Sequence, residues 1–178
     1  MKYLKNWNPI LLFILLIPLL ASQCEKENEM IPELPPITTE GKNTFGCRVN
    51  GEIWLPEAPW DLMGGGALNP YYNIHVGGLN IAATKEISDT DIYQSISLSG
   101  NDIWDTGEFN YNHAKYLDFD ISFCSDYRFD LDTTLGDKLK IIHLDTENRI
   151  ISGTFEFTAI NEDCDPVVIT DGRFDVQY

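Results

Sequence analysis

The feature that most constrains this fold is a series of short segments in which apolar and polar residues alternate, separated by tight-turn signals. The first signal is Asn50-Gly51, a pair that supplies the two positive φ angles required by a type I′ hairpin turn. A two-residue turn at this point places Cys47 opposite Trp54 on the flanking strands. We therefore expect a β-hairpin that starts at Thr44, with Trp54 in the core.

Two further glycine-containing pairs predict turns of the same kind, Gly77-Gly78 and Asp171-Gly172. If Gly77-Gly78 is a two-residue turn, period-two alternation places six apolar side chains on one face of its hairpin: Tyr72, Ile74, Val76, Leu79, Ile81 and Ala83. His75 then lies on the polar face. Asp171-Gly172 is predicted to connect the last two strands, the second of which contains Phe174 and Val176.

Other segments alternate in the same way. One apolar set faces a single side of a predicted strand: Leu117, Phe119, Ile121 and Phe123. A second set runs from Ile151 to Ala159. No segment after residue 24 shows a 3.6-residue apolar period with helix caps. The chain therefore predicts an all-β fold of about ten strands, an antiparallel β-sandwich with a small β-barrel as the alternative.

The first 24 residues differ from the rest of the chain. Two lysines precede a twelve-residue apolar run, Ile10–Ala21, which is shorter than the about 20 residues that cross a bilayer. This pattern is typical of a secretory signal peptide. Cys24 at its exit predicts a bacterial lipoprotein signal, in which this cysteine is acylated and begins the mature protein. Ala21 fits that pattern, whereas Gln23 stands where a small residue is usual; an ordinary signal peptide cut near Ala21 is the alternative.

The next segment, residues 24–43, is rich in acids and prolines and has almost no apolar periodicity. Such a segment cannot bury enough surface to offset its ordering entropy, so we expect a disordered tether. The expected organisation is a signal peptide (1–23), a tether (24–43) and a single all-β domain (44–178) long enough for a substantial core. The expected membrane contact is the acyl anchor, whose buried CH₂ groups contribute roughly 0.8 kcal/mol each.

The chain is strongly acidic. It has 28 acidic and 12 basic residues, and its formal charge changes from −16 to −18 when the two lysines of the signal peptide are removed. A surface of this charge repels nucleic acid, so a nucleic-acid partner is not expected. Besides Cys24, the chain has Cys47, Cys124 and Cys164. These three allow one disulfide in an oxidising compartment, leave its pairing open, and match no zinc motif.

Two segments carry a resemblance to a known family: GKNTFGCRVNGEIWLP (41–56) and RIISGTFEFTA…VVITDGRFDV (149–176). They resemble uncharacterised lipoproteins of Bacteroidetes-type bacteria, which have a TFGC-x-V-N-G hairpin and a C-terminal SGTFEF…TDGRF strand pair. The resemblance implies export, lipidation and an all-β domain, and it supplies no catalytic residues. The acids between Glu25 and Glu29 resemble the tag that sends such lipoproteins to the outer face of the outer membrane. We therefore expect an outer-membrane lipoprotein exposed at the cell surface, with a periplasm-facing anchor as the alternative.

No catalytic set is recognisable in the sequence. His75, His113 and His143 lie in different segments, and none adjoins a nucleophile motif such as G-x-S-x-G. The acidic clusters at 126–137 and 162–165 lack EF-hand spacing, so no metal site is predicted. No cofactor is predicted, and the chain is not expected to be an enzyme.

Five aromatic residues in or beside predicted loops are candidates for contact with a sugar: Trp60, Tyr71, Tyr72, Trp104 and Tyr111. Such rings either stack on the apolar face of a sugar or plug the open ends of a sandwich. The sequence favours a non-enzymatic binding or structural domain at the cell surface, with a glycan or a surface protein as the partner. A glycan hydrolase is the alternative.

Overall fold

The computed structural model describes residues 33–58, 66–86, 93–119 and 127–178. These residues contain eleven β-strands and no helix. The strands are β1 (Thr44–Val49), β2 (Glu52–Trp54), β3 (Leu68–Asn73), β4 (Gly78–Glu86), β5 (Tyr93–Gly100), β6 (Gly107–Phe109), β7 (His113–Asp118), β8 (Arg128–Leu131), β9 (Leu139–Asp145), β10 (Ile150–Asn161) and β11 (Cys164–Gln177).

All these strands belong to one antiparallel sheet. Its main order is β2-β1-β11-β10-β8-β7-β5-β4-β3, and a branch runs from β10 through β9 to β6. The prediction of an all-β, antiparallel fold with about ten strands is confirmed. The sheet curls, and this arrangement is compatible with a sandwich or a barrel-like fold.

The long strands β10 and β11 bend where the sheet branches. β10 pairs with β9 over Ile150–Phe155 and with β8 at Ala159 and Ile160. Between these two stretches its pairing with β11 shifts, and the pairing of β1 with β11 shifts at the same level. β-Bulges bend a strand and increase its twist. We call this bent stretch of β10 and β11 the crease. It allows β10 to pair with strands of both branches of the sheet.

Asp171-Gly172 lies in the crease, and the prediction that it forms a hairpin turn is wrong. β11 runs through this pair without interruption. Asp171 adopts a φ of 53°, and a Cβ atom at Gly172 would collide with Phe155. A bulge, like a tight turn, needs a residue with positive φ and a residue small enough for a neighbouring chain segment to approach its backbone closely. An Asp-Gly pair therefore suits either structure. The turn between β10 and β11 lies at Glu162 and Asp163 instead.

The first hairpin has the predicted geometry. Asn50 and Gly51 have positive φ angles of 50° and 89°, and Cys47 pairs with Trp54. Trp54 is 3% exposed and belongs to the core, as predicted.

The start of the main strand order contacts β4 and β5 through Trp54 and the segment that follows β2. The amide of Glu57 donates to the carbonyl of Thr84, and its carbonyl accepts the amide of Glu86. In addition, the indole N–H of Trp54 donates to the side chain of Gln94 on β5 at 2.9 Å. These contacts hold the start of the sheet against β4 and β5.

The register predicted for the β3–β4 hairpin is wrong. Tyr72 pairs with Leu79 rather than Ala83, and residues 74–77 form a turn in which the side chain of Asn73 accepts a main-chain amide. Because the register differs by an even number of residues, the apolar residues that stay in the strands keep their common face and are buried: Tyr72, Leu79, Ile81 and Ala83. The two left in the turn are exposed: Ile74 and Val76.

The apolar set predicted for β7 does not face the core. Tyr116 and Asp118 are buried, whereas Phe119 is 49% exposed; Ile121 and Phe123 lie outside the described residues. The inversion is possible because the buried polar groups satisfy one another. The Tyr116 hydroxyl donates to the Asp118 carboxylate at 2.8 Å, and the side-chain amide of Gln94 donates to it at 2.9 Å. Together with Trp54, these residues form the interior polar network.

A buried carboxylate holds the segment before β1 against β11. Asp175 is 1% exposed and accepts the hydroxyl of Thr38 at 2.6 Å. It also accepts three main-chain amides, from Glu40 at 3.0 Å, Gly41 at 2.8 Å and Lys42 at 3.3 Å. Burial raises the pKa of Asp175, but these hydrogen bonds outweigh burial and leave the pKa below its usual range. We call this arrangement the Asp175 clip.

Because of the Asp175 clip, the folded part of the chain begins before residue 44. The compact unit runs from Glu33 to Tyr178 and contains one hydrophobic core to which most strands contribute. The boundary predicted at residue 44 is therefore too late, because residues 38–42 are already bound to β11. Residues 24–32 of the predicted tether lie outside the described residues.

Candidate binding groove

Two surface pockets share Glu108, at the centre of β6, the short strand at the end of the branch. We call the two pockets together the β6 groove. One pocket, of about 450 Å³, has three asparagines among its seven lining residues, and we call it the amide half. The other, of about 390 Å³, is lined mainly by charged residues and includes Phe155 and Gly172 of the crease; we call it the charged half.

The amide half concentrates hydrogen-bonding groups that the fold does not use. Three of its side chains form no hydrogen bond with any described residue: Asn101, Asn110 and Asn112. Asp102 and Glu108 add two carboxylates. Elsewhere, asparagine side chains often stabilise turns and strand ends; those of Asn50 and Asn73 accept main-chain amides. The amide half therefore offers both donors and acceptors to a ligand.

The connections on either side of β6 position these groups. Asn101 and Asp102 begin the connection from β5, where Asp102 adopts a φ of 58°. The connection to β7 is short, and the amide of Asn112 donates to the carbonyl of Ser99 at 2.8 Å. The connection after β6 is therefore tied to β5, and the side chains of both connections line one pocket.

Tyr111 and Phe109 supply the apolar part of the amide half. The ring of Tyr111 meets Phe157 edge-on, with ring centroids 5.7 Å apart. Its hydroxyl lies within hydrogen-bonding distance of two carbonyl oxygens, at 3.0 Å from Glu156 and 3.2 Å from Lys138. Burial raises the pKa of Tyr111 well above its usual value, so this hydroxyl stays protonated as a donor.

The charged half is organised as a row across four strands. Glu108 on β6 pairs with Lys140 on β9, Lys140 pairs with Thr154 on β10, and Thr154 pairs with Arg173 on β11. Directly paired residues have neighbouring side chains on the same face of a sheet. The row therefore presents Lys140, Thr154 and Arg173 side by side.

Several charges of this half are already paired. Lys138 lies 2.9 Å from the Glu108 carboxylate. Its hydrogen bond and charge, together with the charge of Lys140, lower the pKa of Glu108. Asp171 lies 3.3 Å from Arg48. By contrast, the Lys140 ammonium has neither a hydrogen bond nor an ion pair with the described part of the chain.

Four of the five aromatic residues predicted from the sequence are described by the structure, and these four do not form one exposed platform. Trp60 lies outside the described residues. Tyr71 is 60% exposed on β3, whereas Tyr72 is 6% exposed and donates its hydroxyl to the carbonyl of Ile103 in the interior. Trp104 is 57% exposed and packs beside Gly77 at the β3–β4 turn. Of the five, Tyr111 alone lines the groove among the described residues.

Two groups of surface side chains were not predicted from the sequence. The groove asparagines lie in the segment DIWDTGEFNYN and its preceding Asn101, and their density beside aromatic residues was the available signal. The second group is an exposed aromatic cluster in which Phe119 stacks on Tyr127 with centroids 4.1 Å apart and meets Tyr93 edge-on at 5.0 Å. These three rings come from separate segments, so only the pairing of the strands reveals them.

The histidines and acidic clusters do not converge on one site. His75 is exposed in the β3–β4 turn, and burial together with the charge of Lys115 lowers the pKa of His113. Within the described ranges, no three His, Cys, Asp or Glu side chains are placed to hold a metal ion. Asp132 accepts hydrogen bonds from Thr134, and Asp137 accepts the amide of Thr158.

The cysteines have different states. Cys47 is a free, buried cysteine, and desolvation raises its pKa to about 12. Cys164 is disulfide-bonded, so its partner is not Cys47. Cys24 and Cys124 lie outside the described residues.

Comparison of the chain with models of protein families, with curated proteins and with solved structures found no match. Among the residues that the structure describes, none form a helix of the length and apolarity needed to span a membrane.

Proposed function

We propose that this chain is an exported, lipid-anchored domain that binds a carbohydrate in the β6 groove. The amide half carries the proposal, because three asparagine side chains unused by the fold share one pocket with two carboxylates and two aromatic residues. Sugar hydroxyls both donate and accept hydrogen bonds, which matches amide and carboxylate groups. Aromatic rings pack against the C–H face of a sugar, and polar groups placed around a concave site orient it.

Export is supported by the N-terminal sequence and by the state of Cys164. The apolar run before Cys24 has the length of a signal peptide. Cys164 is disulfide-bonded, and disulfides persist in oxidising compartments outside the cytosol. Acyl chains on Cys24 would hold the domain at the outer membrane, facing the cell surface.

A binding role fits the groove carboxylates better than hydrolysis does. A glycosidase needs one carboxylic acid with a raised pKa that can protonate the leaving group. In the described ranges, the carboxyl groups with a shifted pKa are all shifted downward: Glu108, Asp132, Asp145 and Asp175. In Glu108 the cause is the hydrogen bond from Lys138. We therefore place Glu108 in the role of a charged hydrogen-bond acceptor.

A glycan array probed with residues 33–178 tests the binding proposal. We expect at least one glycan to be retained, and the variant Asn110→Ala/Asn112→Ala to lose it. Asn80→Ala is the matched control, because Asn80 is an exposed asparagine on β4 outside the groove. Equal retention by the double variant and the control would contradict the proposal, and release of sugar products would make the protein a hydrolase.

Mass spectrometry of the protein expressed in a lipoprotein-processing bacterium tests the anchor. We expect the mature chain to begin at Cys24 and to carry acyl chains. An unmodified Cys24, or a chain that begins at Ser22, would overturn lipidation. Protease treatment of intact cells then separates surface exposure, which predicts cleavage, from a periplasm-facing anchor, which predicts protection.

Peptide mapping without reduction tests the disulfide. Cys164 is disulfide-bonded and Cys47 is free. We therefore expect a peptide that joins Cys164 to Cys124. A free Cys164 in the exported protein would remove the support that the disulfide gives to export.

A further inference from the structure

We propose that the groove selects an acidic saccharide, whose carboxylate or sulfate binds over Thr154 between Lys140 and Arg173. This inference rests on the proposed carbohydrate function and adds the charge of the ligand to it. The amide half would bind neutral hydroxyl groups of the same ligand, and Glu108 lies at the junction of the two halves. A ligand that spans both halves is longer than one sugar unit.

The first support is the distribution of positive charge. The described residues contain nine lysines and arginines, and three of these line the charged half: Lys138, Lys140 and Arg173. Three acids line it as well: Glu108, Glu156 and Asp171. The lining is therefore balanced in charge within a chain of formal charge −16, and it is the placement of the individual cations that favours an anion.

The second support is the geometry of the row. Thr154 pairs with Lys140 on one side and with Arg173 on the other. Neighbouring strands lie about 4.7–4.9 Å apart, so the two cationic side chains flank a small hydroxyl side chain. The hydroxyl of Thr154 forms no hydrogen bond with a described residue. An anionic group above it would find three kinds of donor: an ammonium, a hydroxyl and a guanidinium.

The third support is that these donors remain available. The Arg173 guanidinium contacts the carbonyl oxygens of Asp171 at 3.1 Å and Pro35 at 3.4 Å, which orients it and leaves other N–H groups of the five unused. The Lys140 ammonium acts on Glu108 through its charge but forms no hydrogen bond or ion pair with the described part of the chain. Two of the three acids that line this half form ion pairs, Glu108 with Lys138 and Asp171 with Arg48. Lys138 is therefore engaged, and Lys140 and Arg173 are the cations that remain for a ligand.

Binding of matched trisaccharides tests the inference. The probes are a neutral galactose trisaccharide, the corresponding galacturonic acid trisaccharide and a sulfated galactose trisaccharide, measured by isothermal titration with residues 33–178 at low salt. We expect at least one acidic probe to bind tenfold or more tightly than the neutral probe, and the preference to weaken as salt is added. The two acidic arms distinguish a carboxylate from a sulfate ligand.

Two variants locate the effect. Lys140→Gln and Thr154→Val should each reduce the preference for the acidic probe at least fivefold, whereas binding of the neutral probe stays within twofold. Lys85→Gln removes the same charge from β4, outside the groove, and should leave the preference unchanged. A preference that persists in Lys140→Gln and Thr154→Val, or that Lys85→Gln abolishes equally, would overturn the assignment to this row.

The remaining outcomes separate the inference from the function on which it rests. Equal binding of neutral and acidic probes would overturn the acidic class and leave carbohydrate binding standing. If no trisaccharide binds, titration with galacturonate and with inorganic sulfate, followed by the NMR amide signals of Lys140 and Thr154, decides the anion site. Shifts at these two residues would support the anion row without the carbohydrate function, and their absence would overturn both.

Discussion

The interior polar network and the β6 groove use similar side chains in opposite ways. In the network, Trp54, Gln94 and Tyr116 form a continuous chain of hydrogen bonds that ends at Asp118. In the groove, the side-chain amides of the asparagines and the ammonium of Lys140 form no such bonds with the described residues. Buried polar groups cost free energy unless they are paired, whereas exposed groups are satisfied by water until a ligand replaces it. The comparison predicts that interior substitutions change stability and groove substitutions change binding.

The Asp175 clip should give the largest loss of stability. Asp175→Ala removes the acceptor of four hydrogen bonds, including three main-chain amides. Hydrogen bonds to a charged group contribute about 1.5–3 kcal/mol each and are not additive, so we expect a loss of about 2–4 kcal/mol in the free energy of unfolding. Denaturant titration of residues 33–178 measures this loss.

Asp165→Ala is the matched control for that variant. Asp165 is exposed on the same strand, and substitutions at such positions change stability by about 0.5 kcal/mol or less. If Asp175→Ala behaved like Asp165→Ala, residues 38–42 would not be held by this carboxylate, and the folded part would begin nearer the boundary predicted from the sequence.

The interior polar network should give the next largest effect. Gln94→Ala leaves the indole N–H of Trp54 without its acceptor and removes one donor to Asp118. An unsatisfied buried group costs about 1–3 kcal/mol, so we expect a loss of that order, with no change in glycan binding. Ser97→Ala, on the outer face of the same strand, should be close to neutral. A neutral Gln94→Ala would show that β2 and β5 do not depend on this bridge.

The pH dependence of stability sharpens the same distinction. The folded pKa of Asp175 lies below its unfolded value, which is about 3.9. The stabilisation by the charged carboxylate is therefore fully present above about pH 4 and is lost as the pH falls through the folded pKa. The difference in unfolding free energy between the wild type and Asp175→Asn should shrink in acid. A difference that stays constant down to about pH 2 would contradict this assignment.

The parts of the fold that could be predicted from the sequence are those set by local chemistry. Asn50-Gly51 determines the first hairpin because both residues must adopt positive φ. Asp171-Gly172 has similar chemistry and forms a bulge, because β10 continues to pair with β11 on both sides of it. Whether such a pair ends a strand or bends it depends on partners that are distant in sequence. Local patterns therefore locate special backbone positions without distinguishing their roles.

The groove was less predictable than the fold for the same reason. Lys140, Thr154 and Arg173 come from three strands, and only the register across β9, β10 and β11 brings them into one row. The aromatic candidates had the right residue type, but Tyr72 is buried because its strand has one face on the core. The side of β7 that faces the core was equally unpredictable, because Asp118 is buried with hydrogen bonds from Tyr116 and from Gln94 on β5.

The smallest effect on stability is expected in the groove itself. Asn110→Ala/Asn112→Ala should change the free energy of unfolding by about 0.5 kcal/mol or less per site, because these side chains form no hydrogen bonds with the described residues. The same variant is expected to lose glycan binding. A loss of about 2 kcal/mol or more would show that the asparagines support the connections around β6 instead. The contrast between an interior that stabilises and a groove that binds would then be wrong, because both regions would serve the fold.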